Sequence, residues 1–253
     1  MKRVITYAIS CVMALLLFAH FGAGAEESKS RVLIVLTSHS DLGDSGQKTG
    51  FWLPELTHPY YEFLDAGYQI DIASPQGGMA PLDAKSLLEP DEYSNRFLED
   101  ATLMAKVMTS IPLSQINPNE YGAILFSGGS GPMWDFHNNA DIDRIATSIF
   151  EQGGIVSAVC HGTAALAGIT LSNGNYLVEG RKVAAFTRQE EIDIQQLDII
   201  PFLLEEKLTS IGATHIPGAP WEENVVVDGR LMTGQNPNSA KKLAQEVIKA
   251  LEQ

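Results

Sequence analysis

Three short apolar runs narrow what this chain can become more than any other feature: residues 32–37, 121–126 and 155–159 are aliphatic or aromatic almost without interruption. A strand that is apolar on both faces must be covered on both, which is the condition of a parallel sheet held between helices. The stretches between the runs carry helical spacing. From 141 to 150, Ile142, Ile145, Ala146, Ile149 and Phe150 recur on one face, and Gly153-Gly154 supplies the stop. Residues 51–65 read as a helix that Pro54 and Pro59 should kink or segment, ending at Gly67. After the Asn236-Pro237 pair, Ala240, Leu243, Ala244, Val247 and Leu251 line one face of a closing helix.

The remaining segments fit the same alternation. Residues 69–74 and 182–186 read as strands, 91–108 as a helix within a loop-rich excursion, and 162–168 as a short helix. A helix over 192–211 is interrupted near Pro201, and 224–227 with 230–233 flank Asp228-Gly229, the signal for a type I′ hairpin. No repeat or long linker breaks the pattern. The expectation is an α/β fold with a mostly parallel central sheet, helices on both faces, and a hairpin in the C-terminal half. With 253 residues and 45% hydrophobic content, one substantial core is within reach.

Residues 1–25 read as a secretory signal peptide: Lys2 and Arg3 precede an apolar run, and Ala23-Gly24-Ala25 is a small-residue cleavage site. An uncleaved anchor and lipidation at Cys11 are the weaker alternatives. Removal leaves residues 26–253 as a single domain, periplasmic or secreted, with no stable membrane association. The formal charge of −14 becomes more negative still, which disfavours nucleic acid and anionic lipid as partners. Of the two cysteines only Cys160 remains, so no internal disulfide is available and the thiol is a candidate reactive group.

The chemistry gathers at Ala158-Val159-Cys160-His161-Gly162. A strand turning abruptly into a helix lifts the residue at the turn above the sheet edge, as in a nucleophile elbow. The helix N-terminus favours a Cys160 thiolate there, and His161 is placed to act as base. Ser127-Gly128-Gly129-Ser130-Gly131 lacks the lysine and spacing of a phosphate loop; it reads either as a tight turn or as an oxyanion hole in which Gly128, Gly129 and the His161 amide are the donors. His39, His58, His137 and His215 are dispersed without ligand spacing, so no metal is expected, and His58 is a candidate for the pocket lining. Trp52, Trp134 and Trp221 are candidates for cavity walls, with no catalytic role.

The chain resembles the ThiJ/PfpI superfamily, and within it the glyoxalase III and chaperone-like branch. The likeness is carried by Thr37-Ser38-His39, Gly50-Phe51-Trp52 leading into Glu55-Leu56-Thr57-His58-Pro59-Tyr60, Ser127 to Gly131, Ala158 to Gly162, Phe186-Thr187 with Glu190-Glu191, and Asp228-Gly229-Arg230 through Asn236-Pro237. These motifs occur in order over residues 31–252. The resemblance implies a flavodoxin-like three-layer sandwich, a homodimer, and a Cys160, His161 and Glu191 triad, with Glu190 as the competitor for its acid. Glu55 is then the acid that meets the sulfur, useful only when protonated, because two negative groups in contact disfavour each other. Arg188 and Thr163 depart from the residues more usual at those places.

The activity the resemblance implies is cofactor-independent: Cys160 adds to the aldehyde of methylglyoxal or a related 2-oxoaldehyde, and His161 shuttles protons to yield a 2-hydroxy acid. The alternatives are a holdase chaperone or oxidative-stress protein, and a cysteine-dependent amidase or peptidase. The elbow is also similar to that of glutamine amidotransferases, whose distal His-x-Glu pair has no counterpart near this C-terminus.

Overall fold

The structure is a computed structural model that describes residues 31–253; the signal-peptide reading of 1–25 lies outside them. Its strands are β1 (Arg31–Val35), β2 (Ile70–Ser74), β3 (Ile111–Pro112), β4 (Tyr121–Phe126), β5 (Ile155–Val159), β6 (Lys182–Val183), β7 (Thr214–His215), β8 (Val225–Asp228) and β9 (Leu231–Gly234). The helices are α1 (Leu53–Asp65), α2 (Glu92–Glu99), α3 (Ala101–Met108), α4 (Pro132–Asp135), α5 (Ala140–Glu151), α6 (Arg188–Asp193), α7 (Leu204–Ser210) and α8 (Ala240–Leu251).

The main sheet has the order β3-β2-β1-β4-β5-β9-β8, and every neighbouring pair in it is parallel except β8 with β9. The three apolar runs are β1, β4 and β5, side by side at its centre and buried apart from Arg31 and Gly122. From β1 the chain crosses through α1 to β2 on one side; from β4 it crosses through α5 to β5 on the other. Right-handed crossovers running in opposite directions put their helices on opposite faces. α8 packs beside α1, and α5 presents Ile142, Ile145, Ala146, Ile149 and Phe150 to the sheet, the set its periodicity predicts. Order reverses between β1 and β4, so the loops leaving their carboxyl ends part there and open a crevice, where open α/β sheets bind ligands.

Several elements differ from expectation, each for a local reason. The helix expected over 91–108 is two, because Asp100 accepts from the amides of Thr102 and Leu103 and starts α3 afresh. The strand expected over 182–186 stops at Val183 and pairs only with β7, in a separate two-stranded sheet. The helix expected over 192–211 is absent across 194–203, and only α7 forms beyond Pro201. The hairpin forms with Asp228 paired to Leu231, so its two-residue turn is Gly229-Arg230. Gly229 has φ +60 and Arg230 is not left-handed, which removes the type I′ geometry that needs both central residues at positive φ. Pro59 sits inside α1 without ending it, and Pro54 occupies the first turn, where no amide donor is required.

Candidate active site

β5 delivers Cys160 at the crevice. Its φ of +54 is left-handed, a conformation a non-glycine residue adopts only when its surroundings enforce it. Two contacts do so. The Thr163 hydroxyl donates to the Cys160 carbonyl at 2.7 Å, and Gly162 lies so close to the Phe126 carbonyl that no Cβ would fit. The helix that follows, Cys160–Ala167, is a 3₁₀ helix beginning at the cysteine itself, earlier than the expected 162.

The sharp reversal turns two adjacent side chains toward each other. Cys160 Sγ lies 3.2 Å from His161 Nδ1, and His161 Nε2 lies 2.8 Å from Glu191 Oε1. With Nε2–H donating to the carboxyl, Nδ1 is the acceptor left to face the thiol. All three groups are buried, and Phe186 lies over the imidazole with centroids 4.3 Å apart. Glu190 points away from the histidine: its oxygens accept from Thr187, Trp221, Gln235 and Asn236.

Glu55, in the first turn of α1, is wholly buried. Its Oε2 accepts the Gly128 amide at 3.0 Å, Oε1 has no hydrogen-bond partner, and the Cys160 side chain is its ionisable neighbour. Burial pushes this carboxyl up to about 8, so it keeps its proton at neutral pH. Burial likewise raises the Cys160 thiol, and a charged Glu55 raises it further, against the amides of His161 and Gly129, which favour the anion. The expectation of a resting thiolate is corrected here. A helix terminus is worth about 1 kcal/mol, less than one proton-affinity decade, whereas burial shifts such groups by several. The resting group is a thiol, with His161 placed to take its proton.

The oxyanion expectation is also revised. The Gly128 amide is committed to Glu55, while the Gly129 and His161 amides point at the sulfur. Gly129 has φ +90, and an added Cβ would run into the backbone of Gly50 to Trp52.

Sulfur and imidazole open into a cavity of about 260 Å³ walled by Trp52, Phe186, Ile194, Trp221 and Pro237, with Asp83, Lys85, Ser130 and Gln196 as its polar groups. His58 is not among the lining residues; it pairs with Asp91, and its ring tilts against Tyr93. Trp134 stacks on His39. Asp83 and Lys85 went unseen in sequence because they lie in the loop-rich excursion. Their one signal is Asp83 ahead of Ala84-Lys85-Ser86, where it caps a short 3₁₀ turn through the Lys85 amide. Gln196, bonded to the Ser130 hydroxyl at 2.7 Å, carries no signal. Among the described residues no three His, Cys, Asp or Glu side chains are gathered as metal ligands would be, and no helix is long and apolar enough to cross a membrane.

Residues 48–250 match the model of the DJ-1/PfpI family. Glyoxalase 3 of Candida albicans is 35% identical, with 88% of this chain and 98% of the relative covered. The glutathione-independent glyoxalase HSP31 of Saccharomyces cerevisiae is 32% identical, covering 87% and 98%. Among solved structures, the Rapid Encystment Protein 24 KDa of Francisella tularensis superposes with a TM-score of 0.85 at 40% identity over 88% of this chain and 99% of that one. Glyoxalase III of Candida albicans superposes at 0.80 with 32% identity, covering 87% and 97%.

Proposed function

The chain belongs to the DJ-1/PfpI family, and from that premise we propose that it is a glutathione-independent glyoxalase converting methylglyoxal or a related 2-oxoaldehyde to the 2-hydroxy acid. The observation that carries this reading is the relay from the Cys160 sulfur through His161 to Glu191 at the floor of a small, largely apolar cavity. Both sides of the sulfur contribute.

As Sγ adds to the aldehyde carbon, its proton passes to His161 Nδ1, and Glu191 holds the imidazolium by Nε2–H. The new alkoxide takes that proton or is met by the Gly129 and His161 amides, giving a hemithioacetal. His161 then removes the hydrogen from the former aldehyde carbon, and the electron pair flows through an enediol to the neighbouring carbon, which is protonated in turn. The product is a thioester bearing a 2-hydroxyl. Water cleaves it to the 2-hydroxy acid and returns the thiol. The sum is one 2-oxoaldehyde plus one water, with no net oxidation. Cys160 supplies the sulfur that a free thiol would otherwise bring. Glu55, protonated, adds no negative charge beside the forming thiolate and donates toward it.

The test is lactate formation from methylglyoxal by purified protein without added thiol; none from the wild type would overturn the reading. Export of residues 26–253 after signal removal and a homodimeric state are further proposals, supported by Lys2, Arg3 and Ala23-Gly24-Ala25 and by the family likeness. N-terminal sequencing of the cell-made protein and sedimentation equilibrium test them.

A further inference from the structure

Glu190 is completely buried one residue from the carboxyl that faces His161, yet none of its bonds go to the reacting groups. Oε2 accepts the Thr187 amide at 2.9 Å and its hydroxyl at 2.8 Å, the reciprocal half of the capping box that starts α6. A cap needs no more than this. Oε1 nonetheless accepts three further donors from distant segments: the Trp221 amide at 2.9 Å, Asn236 Nδ2 at 2.8 Å and Gln235 Nε2 at 3.1 Å. Every group facing the carboxyl is a donor.

The donor that matters to the cavity is Trp221. Its φ is +64, a backbone conformation that a tryptophan holds only under constraint. α6 supplies the constraint from both ends of the residue: Glu190 takes the amide, and Asp193 Oδ2 takes the indole Nε1 at 2.9 Å. So held, the ring lines the cavity and meets Phe186 edge-on at 5.6 Å, and Phe186 in turn covers His161.

We propose that Glu190 is a positioning residue that fixes the Trp221 wall of the Cys160 cavity and so sets how large a substituent on the 2-oxoaldehyde reaches the sulfur. The substrate half of this inference rests on the glyoxalase reading; the wall does not.

Four variants of the full chain test it: Glu190→Asp, whose shorter arm still reaches Thr187 but not Trp221; Glu190→Gln, whose amide oxygen can still accept from Trp221; Trp221→Ala; and the combination of Trp221→Ala with Glu190→Asp. The first readout is competitive alkylation of Cys160 by iodoacetamide and N-phenylmaleimide, followed on the Cys160 peptide by mass. Glu190→Asp and Trp221→Ala should each raise the bulky-to-small ratio on the order of tenfold, the combination no further, and Glu190→Gln, which keeps the Trp221 acceptor but turns its NH2 on the Thr187 amide, should raise it less than Glu190→Asp does. In turnover, the change should fall on the KM ratio of phenylglyoxal to methylglyoxal more than on kcat for either aldehyde. An unchanged ratio in Glu190→Asp, or an effect of equal size when Trp221 is already alanine, would overturn the proposal. A wild type inert toward both aldehydes removes the functional reading and leaves the alkylation ratio to decide the wall.

Discussion

The Glu55 carboxyl and the Cys160 sulfur are buried as neighbours, in surroundings that leave room for one negative charge and not two. Burial keeps the proton on Glu55 from its ordinary 4.5 up to about 8. Between those values the unfolded chain has released this proton and the folded one retains it. Stability therefore falls as pH rises across the window, and the loss is complete above about 8. Glu55→Gln, which has no proton to lose, should be more stable than wild type by about 3 kcal/mol at pH 7, and the advantage should vanish toward pH 4. Urea denaturation of both proteins at the two pH values measures this; equal midpoints at pH 7 would refute it.

The same carboxyl should shape the pH profile. Above about pH 8 Glu55 ionises beside the sulfur and makes removal of the thiol proton harder, so kcat/KM should decline where a free cysteine would gain reactivity. Glu55→Gln should lose that alkaline limb while its plateau drops about tenfold or more for want of the proton donor. A wild-type profile still rising past pH 9 would contradict the pairing.

Glu191→Gln should lower kcat by about 10²- to 10⁴-fold through loss of the acceptor that fixes His161, and Cys160→Ala should leave no measurable turnover. Steady-state kinetics with methylglyoxal supplies the test, with far-UV circular dichroism to show that both variants fold. Retention of most activity in either would exclude the relay.

Gly128→Ala should be disproportionately harmful for a single methyl group. The added Cβ would meet Glu55 Oε2, the Val159 carbonyl at 2.8 Å and Cys160 Cβ at 2.9 Å. A cost of roughly 1–3 kcal/mol is expected from the forced shift, together with displacement of Glu55 and loss of the alkaline decline. A thermal melt and a pH profile on the one variant check both.

What was legible in sequence was legible for physical reasons. β1, β4 and β5 were found because a strand buried on both faces has no polar alternation to confuse with a helix, and α5 because Ile142, Ile145, Ala146, Ile149 and Phe150 share one face. Cys160 and His161 stood out as an elbow, whereas assigning Glu191 and Glu55 needed the family likeness, since neither faces the cysteine through chain spacing. The break at Asp100 escaped because a local cap overrides periodicity there, and the gap across 194–203 because Gln195 turns left-handed, with φ +57, just past the end of α6. The resting ionisation of the sulfur was misjudged because a terminal dipole is a local quantity readable in sequence, while the burial that outweighs it belongs to the folded whole. Asp83, Lys85 and Gln196 reach the cavity from loops whose course only the folded chain sets.

α6 has six residues, and three of them serve two purposes: Glu191 grips the imidazole, while Glu190 and Asp193 grip Trp221. A change confined to the Glu190 side chain retunes the chamber for a different guest, whereas a displacement of the whole helix would also tilt the carboxyl behind His161, so breadth of diet and speed of turnover come apart only at the level of single side chains.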